Sequence, residues 1–438
     1  MCWIQSFKNL NNISLILLFE ELPAQLARNL ARIRNCLTAG KSERISLLEN
    51  IDHFATESPK EGRALLILSP EAWLHAVRQY PNIRLFNYYG LTYEFVRSLN
   101  INGYVVDIAD LNSEHFPTKS YDLIVGHGGR CRSVLENSRA DALIYQYVSG
   151  AHWKAFNQES SERYSRFAKS RGVNPPQKHR RDLSDLVEGE EYLFQMADCL
   201  LTINCPRMIQ TFGGGEDRFF FTGLGAYPDH CLTVATEQKD FEIGRNNFIY
   251  VGGTGGNIQK GFDVLLEAFA ASPNLHLFIY CKVEDEILIN YQRELSLPNI
   301  HYIHHLRYLP FRSRLKRLMK QINFSVHAPI NSGMGTAFMG TMGVGLIPVG
   351  YVDIEADSET AVLCADWDLQ TIINCISTAA AKDASWCKIA ALKIVKVHEN
   401  YCGISSLRAR FGELFSDQHQ KFLFNRRISR PSRKALEL

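Results

Sequence analysis

The sequence predicts an α/β protein with two Rossmann-like, doubly wound domains, a helical extension at the amino end and further helices at the carboxyl end. Its 438 residues suffice for two domains at roughly 100–200 residues each. Short apolar runs alternate with longer amphipathic stretches, in two series that are separated near residue 235. Because strands that alternate with helices form β-α-β units, each series indicates a parallel sheet covered by helices on both faces.

The first series forms the predicted amino-terminal domain, residues 61–235, and a helical extension precedes it over residues 1–60. The extension is read as helical because its apolar residues between Leu22 and Leu37 recur at spacings of three and four. Amphipathic helices are expected at 89–99 and 188–197. Buried strands are expected at 64–68, 104–108, 121–125, 142–145 and 199–203.

The second series forms the predicted carboxyl-terminal domain, residues 236–417, after a linker rich in glycine within 223–246. This domain ends in a further helical stretch over 369–417. Its strands are expected at 248–251, 275–280, 300–303, 324–326 and 346–349, and its helices at 261–271, 311–321 and 336–343.

The last segment, 418–438, carries six basic residues and one acidic residue, a local charge of +5. Such a segment is either a solvated tail or a weak contact for an anionic membrane surface. The apolar run Ile13–Phe19 is too short to span a membrane and lacks a cleavage site, so we expect a cytoplasmic protein, peripheral at a membrane at most.

Charge and cysteine content exclude several classes of protein. The formal net charge is +2, from 48 basic and 46 acidic residues, so nothing indicates a nucleic-acid partner. The 11 cysteines include no C-x-x-C pair, which leaves a zinc site without support. Most lie in apolar surroundings, and we therefore expect reduced, buried thiols.

Two glycine-rich connections carry the chemical signal. The strand at 248–251 leads into Gly252-Gly-Thr-Gly-Gly-Asn-Ile-Gln-Lys260-Gly261 and then a helix. Glycines allow close approach of an anion, a helix start presents free N–H groups, and Lys260 adds a full charge suited to a diphosphate. The second connection is Ala328-Pro-Ile-Asn-Ser-Gly-Met-Gly-Thr336, again between a strand and a helix. Both would open at the carboxyl ends of parallel strands, where open α/β sheets bind ligands, although plain turns could have this composition too.

Residues 248–270 and 324–349 resemble the donor-binding segments of the group 1 (family 4-like) glycosyltransferases of the GT-B fold. The amino-terminal half resembles the family more weakly. There, Tyr121-Asp-Leu-Ile-Val-Gly-His127 looks like the family's strand that ends in an active-site histidine. Ser149-Gly-Ala-His152-Trp153 looks like a second loop that faces the cleft.

The resemblance implies a set of site residues. His127 and Lys260 would be catalytic, Lys260 through the donor diphosphate and His127 beside the transferred sugar. His127 and His152 would face the acceptor. The donor site would consist of Gly253, Thr254, Gly255, Lys260, Leu306 (against the base), Ser332, Gly333, Met334, Gly335 and Thr336.

By the same resemblance the protein is a glycosyltransferase that moves a sugar from a nucleotide-sugar donor to a sugar, lipid-linked or small-molecule acceptor, with retention. Neither a metal nor a cofactor besides the donor substrate is implied. The family's two donor-loop glutamates, eight positions apart, correspond here to Ser332 and Gly340, and its arginine after the first strand corresponds to Gly253. The alternative is therefore a catalytically silent GT-B module that binds a sugar nucleotide or a partner protein.

Overall fold

The computed structural model describes thirteen strands and twelve α-helices. The described residues are 45–54, 62–79, 88–111, 113, 119–127, 134–135, 141–174, 184–202, 206–213, 218–223, 238–252, 256–303, 318–328, 336–350, 356–415 and 419. The strands belong to two separate sheets, one in each half of the chain.

Seven strands form the first sheet, in the spatial order β1-β3-β2-β4-β5-β6-β7. The pair β1 and β3 is antiparallel, and the other neighbouring pairs are parallel. The strands are β1 (Leu47–Ile51), β2 (Gly62–Leu68), β3 (Tyr104–Asp110), β4 (Leu123–Gly126), β5 (Leu143–Val148), β6 (Cys199–Thr202) and β7 (Phe219–Phe221).

Six parallel strands form the second sheet, in the order β10-β9-β8-β11-β12-β13. The chain runs outward from β8 to β10 and then returns to the other side of β8, so the strand order reverses between β8 and β11. The strands are β8 (Asn247–Val251), β9 (His276–Tyr280), β10 (Ile300–Tyr302), β11 (Phe324–His327), β12 (Ile347–Gly350) and β13 (Val362–Leu363).

Helices connect the strands in both halves, and a 3-10 turn at Ile243–Asn246 precedes β8. The α-helices are α1 (Pro70–Gln79), α2 (Tyr88–Ile101), α3 (Trp153–Arg171), α4 (Ser184–Met196), α5 (Pro206–Gln210), α6 (Phe262–Ala270), α7 (Asp285–Asn290), α8 (Gln292–Leu295), α9 (Thr336–Met342), α10 (Leu369–Ala380), α11 (Ala384–Cys402) and α12 (Ile404–Glu413).

The ten strands expected from apolar runs are present, but the expected helix over residues 1–60 is wrong where the chain is described. Leu47–Ile51 forms β1, an edge strand with one buried face, which pairs with β3. The apolar face between Leu22 and Leu37, residues 311–317 of the expected helix, and all of the tail except His419 lie outside the described residues. The boundaries at residues 60 and 235 also lie outside them and stay predictions.

The expectation of reduced thiols is wrong for one pair of cysteines. Cys364, after β13, and Cys375, in α10, form a disulfide with their Cα atoms 6.1 Å apart. Sequence spacing gave no sign of this pair, because the helix turn that brings the residues together is a tertiary feature. Cys199, Cys281, Cys387 and Cys402 are buried free thiols, as expected.

The carboxyl-terminal helices pack back on the first sheet. Leu407 and Phe411 of α12 belong to the apolar cluster on one face of that sheet, and the Phe411 ring lies 4.6 Å from the Phe95 ring. Arg408 donates two hydrogen bonds, of 2.9 and 2.8 Å, to the buried carboxylate of Glu94 in α2. Helix α12 thus packs on the amino-terminal half.

A buried ion pair joins the two halves on the opposite side. Arg163 of α3 donates to the Asp263 carboxylate of α6 at 2.6 Å and to the Ile258 carbonyl at 3.1 Å. Both charged side chains are almost completely buried, and the guanidinium lies 4.7 Å from the centre of the Trp367 ring. Helix α3, which begins in the first half of the chain, is therefore fixed to the first turn of α6.

We expect Arg163→Met to destabilise the protein by about 3–5 kcal/mol, because it leaves the Asp263 carboxylate buried without its counterion. Chemical denaturation measures this loss. Arg245→Met is the matched control, since the Arg245–Glu242 pair is exposed, with N and O atoms 3.7 Å apart, and its loss should cost less than about 1 kcal/mol. Equal losses in the two variants would contradict the role of the buried pair.

Lys239 is a buried amine within the range 223–246 that the sequence assigns to the linker. Its Nζ donates a 3.0 Å hydrogen bond to the carbonyl of Gly345, in the turn before β12. Burial lowers the Lys239 pKa to about 7, and a nearby Cys387 opposes this only in part. The folded protein therefore favours the neutral amine, whereas the unfolded chain keeps the ammonium up to its ordinary pKa.

This difference makes stability rise with pH. Between about pH 7 and 10 the unfolded chain binds the Lys239 proton and the folded protein does not, so the free energy of unfolding should increase by about 1.4 kcal/mol per pH unit. Lys239→Met lacks this contribution. Denaturation of both proteins at pH 7 and pH 9 should show the parent gaining stability relative to the variant, and a constant difference would refute the assignment.

Candidate nucleotide-binding site

The candidate site lies at the carboxyl edge of the second sheet, where the strand order reverses. The connection after β8 and the connection after β11 start side by side here, because β8 and β11 are neighbouring strands. Open α/β sheets bind ligands at such switch points. In the first sheet the order reverses between β2 and β4, and His127 follows β4 directly.

Close packing joins the two connections. Gly261 has φ +73°, and a Cβ built on it would lie 1.9 Å from the carbonyl oxygen of Ala328, the residue that follows β11. No side chain fits in that space, so only glycine allows this approach. The turn that carries Lys260 therefore rests directly on the start of the connection from β11 to α9.

Lys260 is a half-buried cation next to this contact. Burial lowers the pKa of its ammonium, and the negative charge of Glu284 opposes that shift. Burial, and to a smaller extent the charge of Lys260, lowers the pKa of His327, the last residue of β11. The lysine predicted to meet a diphosphate thus lies where the end of the first connection meets the start of the second.

Five described amides of the turn have partners within the protein. Glu284, just after β9, accepts hydrogen bonds from the amides of Gly256 and Asn257 at 2.9 and 2.7 Å. The amides of Lys260, Gly261 and Phe262 donate to backbone carbonyls of the same turn. The Glu284 carboxylate and backbone carbonyls of the turn thus accept from these amides, which the sequence predicts to approach an anion.

The first turn of α6 carries a carboxylate that binds a side chain of the protein. Its first-turn acidic residue, Asp263, is buried and holds Arg163. The amides of Phe262 and Leu265 donate to the carbonyls of Asn257 and Gly261. Contact of the remaining N–H groups of this first turn with an anion stays a prediction, as does the role of the Lys260 charge.

The other predicted donor residues lie mostly outside the described residues: Gly253, Thr254, Gly255, Leu306, Ser332, Gly333, Met334 and Gly335. Thr336 is the first residue of α9. Gly340, at the second glutamate position of the resembled family, is buried within α9. The roles of these residues stay predictions.

His127 lies at the carboxyl edge of the first sheet, as predicted. Its Nε2 is 2.9 Å from the Ser149 hydroxyl, which follows the neighbouring strand β5, and its ring lies 5.4 Å from the Tyr147 ring. The residues that the sequence assigned to two separate loops are thereby brought together. Contact of His127 with an acceptor stays a prediction.

His152 makes capping and packing contacts within the protein. It is buried at the N-cap of α3, where its Nδ1 accepts from the Lys154 amide and its Nε2 lies 3.2 Å from a Glu191 carboxylate oxygen. The ring packs edge-on against Phe212, with the centroids 5.3 Å apart. These contacts account for the histidine as a capping and packing residue, and its acceptor-side role stays a prediction.

Sequence reasoning missed two acidic residues beside the Lys260 turn. Glu284 follows a predicted strand, but nothing local indicated that it would cap a turn 27 positions earlier. Glu159 of α3 precedes Ser160, whose hydroxyl accepts a 3.0 Å hydrogen bond from Gln259. Burial raises the Glu159 pKa to about 7, although Arg207 opposes the shift. The burial of Glu159 and the nearby Arg207 result from tertiary packing, so the spacing of residues in the sequence could not indicate them.

Among the helices described, none is long and apolar enough to cross a membrane. In the same part of the chain, no group of three or more His, Cys, Asp or Glu side chains is arranged to hold a metal ion.

No protein-family model and no curated protein sequence matches the chain. Solved structures do resemble it. Anabaena HepE, solved in complex with UDP-glucose, is 12% identical with a TM-score of 0.50, and the alignment covers 81% of this chain and 100% of HepE. The likeness concerns the fold, and it confirms the predicted fold class of two Rossmann-like units of the GT-B type.

Two longer proteins show weaker similarity. A variant of S. aureus TarM, solved with UDP and a GlcNAc-glycerol, is 11% identical with a TM-score of 0.48 over 67% of this chain and 55% of TarM. The pneumococcal O-GlcNAc transferase GtfA, solved with UDP and GlcNAc, is 15% identical with a TM-score of 0.41 over 70% and 57%. This chain thus spans little more than half the length of either protein.

The Glu284 cap predicts local protection of the turn. Glu284→Ala should accelerate hydrogen exchange of the Gly256 and Asn257 amides about tenfold or more, because charge-assisted hydrogen bonds contribute about 1.5–3 kcal/mol each. Hydrogen exchange followed by NMR or mass spectrometry measures the change. Asp285→Ala, one residue away on an exposed position, is the control and should leave these amides protected. Equal exchange in both variants would contradict the capping role.

Proposed function

We propose that this protein is a glycosyltransferase that uses a nucleotide-sugar donor bound at the carboxyl edge of the second sheet. The observation that carries the proposal is the position of Lys260, a half-buried cation at the switch point between β8 and β11 in a GT-B fold. Glycosyl transfer places negative charge on the leaving diphosphate, and a cation held beside that charge stabilises the transition state.

The finer parts of the proposal follow the family resemblance. Lys260 would contact the diphosphate, and the connection over 329–335 would cover it. His127, at the switch point of the first sheet, would lie beside the transferred sugar and the acceptor, which is a sugar, a lipid-linked or a small molecule. We propose that transfer retains the configuration of the sugar and needs no metal ion. Residues 61–235 would bind the acceptor, and residues 236–417 would bind the donor.

A silent GT-B module that binds a nucleotide sugar or a partner protein is the second candidate. The observation that favours it is Gly340, which is buried in α9 where the resembled family has a glutamate for the donor. Ser332 replaces the other glutamate. A protein of this kind would bind the nucleotide through Lys260 but transfer no sugar.

Binding is the first test. Because HepE was solved with UDP-glucose, calorimetric titration starts with UDP and UDP-glucose and extends to guanosine and adenosine diphosphates. For the nucleotide that the parent binds, Lys260→Ala should weaken affinity about 10- to 150-fold, the equivalent of about 1.5–3 kcal/mol. Lys260→Arg should recover part of the affinity, because a planar guanidinium does not replace a compact ammonium.

Lys282→Ala is the matched control for this titration. Lys282 is also just beyond the carboxyl end of a strand in this sheet, but its side chain is exposed. Its loss should therefore change affinity less than twofold at physiological salt. Equal affinities of Lys260→Ala and the parent would overturn the proposed site.

An assay of sugar transfer distinguishes the glycosyltransferase from the silent module. Release of free nucleoside diphosphate from the bound nucleotide sugar, with an acceptor panel and with water alone, should occur for the enzyme and be lost in Lys260→Ala. Binding without release in any condition would favour the silent module.

A further inference from the structure

His327 occupies a special place in the second sheet. It is the last residue of β11, directly before Ala328, whose carbonyl is the contact point of Gly261. Its imidazole stacks on Phe338 of α9, with the ring centres 4.6 Å apart and the planes at 18°. The ring therefore lies between the turn of Lys260 and the first turns of α9.

Both ring nitrogens of His327 lack a hydrogen-bond partner. The residue is 3% exposed, and neither Nδ1 nor Nε2 reaches a donor or acceptor among the residues that the structure describes. Nearly all buried polar groups in native proteins are paired, and each that is not paired lowers stability. An apolar side chain at this position would avoid the loss. The hydroxyl of Ser325 on the same strand lacks a partner among the described residues too, but of the two only the His327 ring is shown to feel the Lys260 charge, and this combination points to an anionic partner for the imidazole.

The surroundings determine the form of the ring. Burial, and to a smaller extent the Lys260 charge, lowers the His327 pKa to about 3. The imidazole is therefore neutral, with one N–H donor and one acceptor nitrogen. A neutral imidazole next to Lys260 can donate a hydrogen bond to an anionic ligand. It also adds no positive charge that would repel the lysine.

We propose that His327 is a ligand-binding residue that donates its N–H to a phosphate oxygen of the nucleotide diphosphate held by Lys260, directly or through one ordered water. This inference rests on the proposed function and names an additional residue for that site. It also accounts for the pairing of a cation with a neutral donor at the switch point. Phosphate oxygens accept from both groups, whereas a nucleobase or an apolar acceptor would leave the Lys260 charge uncompensated.

The test uses apolar replacements of two shapes in the full chain. His327→Phe keeps the stacking on Phe338, and His327→Leu avoids the larger ring. Each is titrated with UDP and with inorganic pyrophosphate, and the thermal midpoint of the ligand-free protein is measured. Ser325→Ala is the matched control, because Ser325 lies two residues earlier on the same face of β11 and its buried hydroxyl also lacks a partner.

We expect both His327 variants to bind at least about tenfold more weakly than the parent while their ligand-free thermal midpoints stay equal or rise. Ser325→Ala should bind like the parent. His327→Asn, which keeps a donor, should bind more tightly than His327→Leu.

Three results would overturn the inference. The first is unchanged affinity in the folded His327 variants, which leaves the proposed function intact. The second is a large fall of the thermal midpoint in both apolar variants, which would make the imidazole a structural residue. The third is a parent that binds neither UDP nor pyrophosphate, and in that case the proposed function fails with it. A parent that binds pyrophosphate but no nucleotide, with loss in the His327 variants, supports the phosphate contact and contradicts the nucleotide-sugar donor.

Discussion

The candidate site depends on one steric constraint, the contact of Gly261 with the Ala328 carbonyl. A Cβ at 1.9 Å from an oxygen is impossible, so the turn after β8 can rest on the end of β11 only with glycine at this position. The contact fixes where α6 begins and holds Lys260 above the switch point. It also brings the Lys260 charge close to the imidazole of His327. A larger residue would separate the two connections and expose the lysine to solvent.

The same turn is stabilised from two directions by carboxylates. Glu284 accepts two amides of the turn, and Asp263 binds Arg163 from the other half of the chain. The buried Arg163–Asp263 pair needs both charges, since either one alone would be buried without compensation. The hydrogen bond from Arg163 to the Ile258 carbonyl joins helix α3 directly to the Lys260 turn. The position of the lysine is thus a property of both halves.

The sequence predicted the buried strands because a central strand of a parallel sheet is apolar on both faces. In β2, residues Ala64–Leu68 are all buried, and their side chains alternate between the clusters on the two sides of the sheet. Strands at the edges of the sheets lack this run of consecutive buried residues. β1 has one buried face, β7 is half-buried throughout, and β13 has two residues. For the site, glycine spacing located Lys260 and a strand end located His127. The partners Glu284, Arg163 and the disulfide cysteines come from distant positions and are set by tertiary packing.

The charges around Lys260 explain why local geometry matters more there than long-range attraction. The Glu284 carboxylate offsets the lysine charge only in part, and the whole chain has a net charge of +2, so an anionic ligand gains little from long-range attraction. Burial disfavours the lone ammonium, and a diphosphate oxygen would replace the hydration that the lysine has lost. Lysine and ligand therefore stabilise each other, whereas Glu284 repels the ligand while it orders the turn. Under the proposed function, a site built in this way would discriminate by the fit of phosphate oxygens to Lys260. It can retain that selectivity even where the two glutamates of the resembled family are replaced by serine and glycine.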